Sequence, residues 1–215
     1  MLIDFYLSYI VPLSVLIPVF TALLGYRCLT KSARIILWFI IGSAIINLIN
    51  IIWIELHGTG QLMFHIYGIF EFILLSWFYS TFFEKRGRNV VLIIAGLFTV
   101  ACIINLLFIQ KQDQFNAYTR SLGALLLIAY TLIVSYRQGN VDSKLSWADD
   151  YHNWFTTGIL LYYCSSIFMF VFFNYWSNAS RALSQGIWIA HDTVLILEYI
   201  LFAIGFYKCK VHQTI

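Results

Sequence analysis

Seven apolar stretches, each long enough to cross a bilayer, occupy nearly all of this chain, and they fix its solvent before any fold is considered. A membrane-spanning helix needs about 20 mostly apolar residues. Runs of that length lie at Phe5–Tyr26, Ala33–Ile54, Leu62–Phe83, Asn89–Ile109, Ala117–Arg137, Asn153–Asn174 and Ser184–Tyr207. They are too long, and too lacking in period-two alternation, to be the strands of a barrel wall. Charged residues make up 11% of the chain, against about 25% in an average soluble domain. The expectation is an all-α polytopic membrane protein, one seven-helix transmembrane bundle over residues 1–215.

The first run is expected to stay as a helix rather than to be cleaved as a signal peptide. Asp4 stands where a basic segment belongs, and the apolar run is too long. Pro12 and Pro18 both fall inside it. Each removes a backbone hydrogen bond and favours a bend, so a bent packing helix is expected, the alternative being a hinge beside a ligand.

Orientation follows from the chain's 13 Lys and Arg residues. Arg27, Lys31, Arg34, Lys85, Arg86, Arg88, Arg137, Lys144, Lys208 and Lys210 fall on one side. Lys111, Arg120 and Arg181 fall on the other. The positive-inside rule then places the N-terminus outside and the C-terminus in the cytoplasm. The basic residues are not interleaved with aromatics in a patch, so nucleic acid is not an expected partner. Cys28, Cys102, Cys164 and Cys209 sit within spans or at their inner ends, which suits packing rather than a disulfide framework. Between the fifth and sixth spans, Asp149 and Asp150 read as a solvated acidic pair or a contact for a cytoplasmic partner.

Polar and ionisable side chains inside lipid are costly and usually face the bundle interior, where they count as candidate site residues. Ser43, Asn47 and Asn50 are spaced four and three apart, and so share one helix face. Tyr67 and Glu71 can meet along one face of the third span, while His65 is rotated away from them. In the seventh span, His191 and Glu198 fall on one stripe, and Asp192 lies beside Trp188 and Tyr199. At about 1.5 Å per residue, His65 is about 6 Å below the outer boundary and His191 and Asp192 about 10–12 Å below it. Arg120 opens the fifth span at a similar level. The polar content therefore gathers toward the outside, as in a pocket reached from the periplasm or outer leaflet.

Four readings of that set remain open. It can be interhelical hydrogen-bond glue worth about 0.6–2 kcal/mol per pair. It can line an outward-facing pocket for a small molecule or lipid headgroup in a receptor or signalling protein, with His65, Tyr67, Glu71, Asn47, Asn50, Arg120, Trp188, His191, Asp192 and Glu198 as contacts. It can hold zinc through His65, His191 and Asp192, with Glu71 as base, in a membrane hydrolase acting on lipid. It can carry protons or a small solute through Glu71 and Glu198. Haem ligation by His65 and His191 is a further geometric option. The seven-helix hydrolases of the adiponectin-receptor and ceramidase type carry a His-x-x-x-His pair in the last helix. Here positions 187 and 195 are Ile and Leu, which argues against membership. No span has a mid-membrane Lys for a retinal Schiff base, and there is no phosphate loop or Gly-x-Ser-x-Gly elbow.

Several strings, taken together, resemble a known family. They are Phe64-His65-Ile66-Tyr67 leading to Glu71-Phe72, Phe115-Asn116-Ala117-Tyr118-Thr119-Arg120, Trp154-Phe155 with Gly158, Trp188-Ile189-Ala190-His191, and Phe202-Ala203-Ile204-Gly205-Phe206. The chain is similar through them to a family of small, uncharacterised seven-helix inner-membrane proteins of Bacteroidetes, often encoded beside sensor histidine kinases. The resemblance implies a bacterial inner membrane and a sensory role, with a histidine kinase as a candidate partner, and supplies no catalytic assignment. The leading expectation is a non-enzymatic, ligand-binding membrane protein with no cofactor, docking a partner on its short inner loops. The zinc-dependent hydrolase and the small solute transporter are the alternatives.

Overall fold

The computed structural model describes residues 2–110, 114–139, 146–177 and 180–212. Lys111 and Lys144 lie outside them. All regular structure among the described residues is helical. Seven helices are long and apolar enough to span a membrane: α1 Tyr6–Leu24, α2 Lys31–His57, α3 Gln61–Ser80, α4 Lys85–Ile109, α5 Ala117–Gly139, α6 Tyr151–Val171 and α7 Ala182–Lys210. Several run past the apolar stretches into basic residues: α2 begins at Lys31, α4 at Lys85, and α7 ends at Lys210.

Local chemistry sets the helix ends. Thr30 is extended, and its hydroxyl accepts a 3.4 Å bond from the Ala33 amide, so α2 starts at Lys31. It stops at His57 because Gly58 turns into the left-handed region at φ 78°. Asp150 caps α6 by accepting from the His152 amide at 2.9 Å. The two prolines break α1 more than a simple bend would. A π-turn spans Tyr6–Ile10, and the helix is interrupted again at Val15 before resuming at Leu16. The Ser14 hydroxyl turns back onto the Val11 carbonyl.

The helices form a ring. α2 packs on α1 and α3, α3 on α4 and α5, α6 on α5 and α7, and α7 closes the ring against α1. The shared interior is aromatic: Phe72, Phe78, Tyr79, Phe155, Tyr163, Phe202 and Phe206 are all at 2% exposure or less. Gly158 faces the Phe202 ring and Gly205 the Phe155 ring, so each glycine of the α6–α7 pair receives the other helix's phenylalanine. Large apolar residues such as Leu13, Phe20, Leu48, Leu97 and Phe108 point outward. A surface of this kind needs a lipid solvent.

The acidic pair is not simply solvated. Asp149 binds Lys208 of α7 at 2.9 Å, and Asp150 caps α6. Trp154 donates to the Ala148 carbonyl at 2.9 Å, fixing the short turn Trp147–Asp149 against α6.

Candidate functional site

The end of the bundle opposite Lys31, Lys85, Arg137 and Lys208 holds a cavity of about 150 Å³ between α2, α3, α5, α6 and α7. Each helix supplies polar or aromatic groups from its turns nearest that end. α2 contributes Asn47 and Asn50, α3 Tyr67, α5 Arg120, and α7 Trp188, His191, Asp192 and Tyr199. α6 contributes Tyr162, Met169 and Phe170.

Arg120 forms the floor. Its guanidinium lies 4.5 Å from the centroid of the Phe170 ring and 5.2 Å from that of Tyr67. One of its terminal nitrogens donates to Glu71 at 2.5 Å, and both residues are buried. A charge inside a low-dielectric bundle needs such a partner. The aromatic faces add cation–π attraction where water is excluded. Below Arg120, a void of about 10 Å³ lined by Glu71, Asn116, Arg120 and Tyr163 matches about one water.

The ten residues singled out in the sequence separate in three dimensions. Asn47, Asn50, Tyr67, Arg120, Trp188, His191 and Asp192 line the cavity; His65, Glu71 and Glu198 do not. Glu71 stands one ion pair behind the floor and bonds Arg120 rather than its helix neighbour Tyr67. The Tyr67 hydroxyl is met by Ser43 at 3.5 Å. Ser43 mainly donates to its own helix, at the Phe39 carbonyl, and so lies outside the cavity wall. His65 donates from Nε2 to the Gln114 carbonyl at 3.1 Å, tying α3 to the segment before α5. Asn116 ties the same two elements through the Phe64 carbonyl. Glu198 is buried against Gly158 of α6, away from the cavity wall, and so does not share a lining with His191.

The zinc set therefore does not assemble. His65 is held on a carbonyl while His191 and Asp192 face the cavity. No cluster of three His, Cys, Asp or Glu side chains suited to a metal occurs among the described residues. His65 does not share the cavity wall with His191, so the haem option has the same difficulty. The α6 contribution was not expected. Tyr162 and Met169 are seven residues apart and share one helix face, but an apolar stripe of that kind reads as ordinary core.

Three buried polar atoms on cavity-lining residues have no hydrogen-bond partner: Asn50 Oδ1, Arg120 Nε and His191 Nδ1. They come from three different helices. His191 is stacked beside Tyr162, their ring centroids 5.2 Å apart, with Trp188 at 6.2 Å. The cavity is thus lined by the Arg120 guanidinium, the Asp192 carboxylate, the Asn47 and Asn50 amides, and aromatic residues between them. No family model, curated protein or solved structure matches this chain.

Proposed function

We propose that this protein is a receptor or signalling-type membrane protein that binds a small zwitterionic group, an amino-acid-like solute or a lipid headgroup, in the α2–α3–α5–α6–α7 cavity. The carrying observation is that Asn47 and Asn50 of α2, Arg120 of α5, and His191 and Asp192 of α7 line one cavity. Polar and ionisable side chains within a membrane bundle are costly, so their gathering from three helices around one space points to an occupant. The cavity volume selects a small one. At about 150 Å³ it falls below the roughly 300–1,000 Å³ of drug-sized sites. Both signs of charge are on offer. Asp192 and the Trp188 and Tyr162 rings suit an ammonium, and the Arg120 guanidinium suits an acidic oxygen.

The positive-inside rule supports a periplasmic cavity in a bacterial inner membrane, with the N-terminus outside. The family resemblance supports a histidine kinase as the partner at the basic end. α7 is the natural transmitter, since it carries Trp188 and Asp192 at the cavity and Lys208, bonded to Asp149, at the far end. The packed layer of Phe72, Phe78, Phe155 and Phe202 lies between, which favours binding over conduction.

The test is a thermal unfolding series in detergent with phosphoethanolamine and, separately, glycine. At least one should raise the midpoint in a saturable way, by linkage worth about 2.7 kcal/mol at a hundredfold excess over Kd. Asp192→Asn should abolish the response while leaving the unliganded midpoint close to that of the parent. Absence of any response to either probe would overturn the zwitterion reading.

A further inference from the structure

At the basic end, far from the cavity, three side chains stand in the order of a nucleophile, a base and an orienting carboxylate. Ser32 Oγ lies 3.0 Å from His152 Nε2, and His152 Nδ1 lies 3.0 Å from Asp150 Oδ1. They are far apart in the chain: Ser32 is the second residue of α2, while Asp150 and His152 open α6. Such an arrangement is recognised by geometry and roles rather than by sequence position.

Counting donors and acceptors fixes the direction of the protons. The Thr30 hydroxyl accepts from the Ala33 amide and from the Tyr151 hydroxyl, at 3.4 and 3.0 Å. A hydroxyl has two lone pairs and one hydrogen, so Thr30 has only its hydrogen left for Ser32, 3.1 Å away. Ser32 therefore accepts from Thr30 and turns its own hydrogen to His152 Nε2. The Asp150 carboxylate can only accept, so Nδ1 carries the imidazole proton and Nε2 is the basic nitrogen. Asp150 is itself held by the His152 amide at 2.9 Å, and the imidazole is packed edge-on to Phe82 and against Tyr151. The relay runs Tyr151, Thr30, Ser32, His152, Asp150, with each donor matched to an acceptor.

We propose that Ser32 is a nucleophile activated by His152, acting on acyl esters at the membrane interface, with Asp150 as the positioning residue. In the acylation step Ser32 Oγ bonds to the ester carbonyl carbon as its proton passes to His152 Nε2. The tetrahedral adduct then expels the alcohol, which leaves with that proton. Water, deprotonated by the same nitrogen, attacks the acyl-serine and releases the carboxylic acid, and the proton returns to Ser32. The amides of Lys31 and Ser32, in the first turn of α2, have no acceptor within the helix, and they would serve as the donors to the oxyanion. Trp147 and Trp154 mark the interfacial level of this end, with rings 5.5 Å apart. That position supports a lipid-borne ester, which approaches a Ser32 that is itself buried.

The test is labelling of the membrane-embedded full chain with a fluorophosphonate, which transfers its phosphonyl group to an activated serine hydroxyl and releases fluoride. Peptide mass spectrometry should place the adduct on Ser32, and Ser32→Ala should remove it. His152→Gln should slow labelling by about 100-fold or more, the usual scale of general-base assistance. Asp150→Asn should move the pH profile of labelling, which a purely structural tie between helices would not do. Each variant's thermal midpoint shows whether it has folded. A folded parent protein that labels no faster than Ser32→Ala overturns the proposal, whatever the variants do. So does unchanged labelling in folded His152→Gln.

Discussion

At the scale of single residues, the bundle's most consequential contact is Arg120 with Glu71. Both are buried, and the pair is reinforced by Tyr67 and Phe170. Removing one partner of such a pair leaves an uncompensated charge and costs about 3–5 kcal/mol, whereas replacing both with apolar residues is often neutral. Glu71→Gln is therefore expected to lower unfolding stability in detergent by about that amount, and Glu71→Leu with Arg120→Met to recover most of it. The double variant should still fail to respond to phosphoethanolamine or glycine, because the cavity has lost its floor. Both residues stand out in the sequence as ionisable groups among apolar neighbours. Their pairing does not, because 49 positions separate them and only the α3–α5 contact joins them.

At the scale of elements, hydropathy and capping chemistry make the seven spans and most of their limits legible. Thr30 before α2 and Gly58 after it are readable start and stop signals. The faces are harder to read. Over Ile35–Ile41, before its Ser43, Asn47 and Asn50 face begins, α2 is apolar all the way round, so the pattern there cannot say which side meets lipid and which meets α3. The α6–α7 interface shows what decides such a question. A Cβ on Gly205 would come within 2.6 Å of the Phe155 ring. Gly205→Ala should accordingly destabilise the protein by about 1–3 kcal/mol through overpacking. Gly96, with nothing within 4 Å of an added Cβ, is the matched control, whose alanine variant should leave the melting midpoint unchanged or slightly raised.

At the scale of the whole molecule, the two ends differ in chemistry. One gathers an aromatic-lined cavity walled by Arg120, His191 and Asp192, and the other gathers most of the basic residues and the Ser32–His152–Asp150 relay. With the proposed orientation, a green fluorescent protein fused to the C-terminus in a bacterial host should fluoresce, and an alkaline phosphatase fused there should be inactive. Active phosphatase would invert the assignment and put the cavity on the cytoplasmic side. The separation of the two ends also makes the two proposals independent. Asp192→Asn should not alter fluorophosphonate labelling, and Ser32→Ala should not alter the response to the zwitterionic probes.

The sequence by itself determined the solvent, the number of spans, and the inventory of costly polar groups, because hydropathy and helix rise are local properties summed along the chain. It also placed the polar groups toward one end, since depth follows from position within a span. Only the tertiary structure decided which of those groups meet. It sent Glu71 behind Arg120, His65 to a backbone carbonyl and Glu198 to the α6–α7 seam, and it brought Tyr162 into the cavity wall. It also joined Ser32 to His152 across 120 positions, a contact with no local trace. The reason is that rotation about each helix axis and the choice of neighbours are set by packing between helices, and a lipid-facing apolar residue and a core one look alike in a sequence.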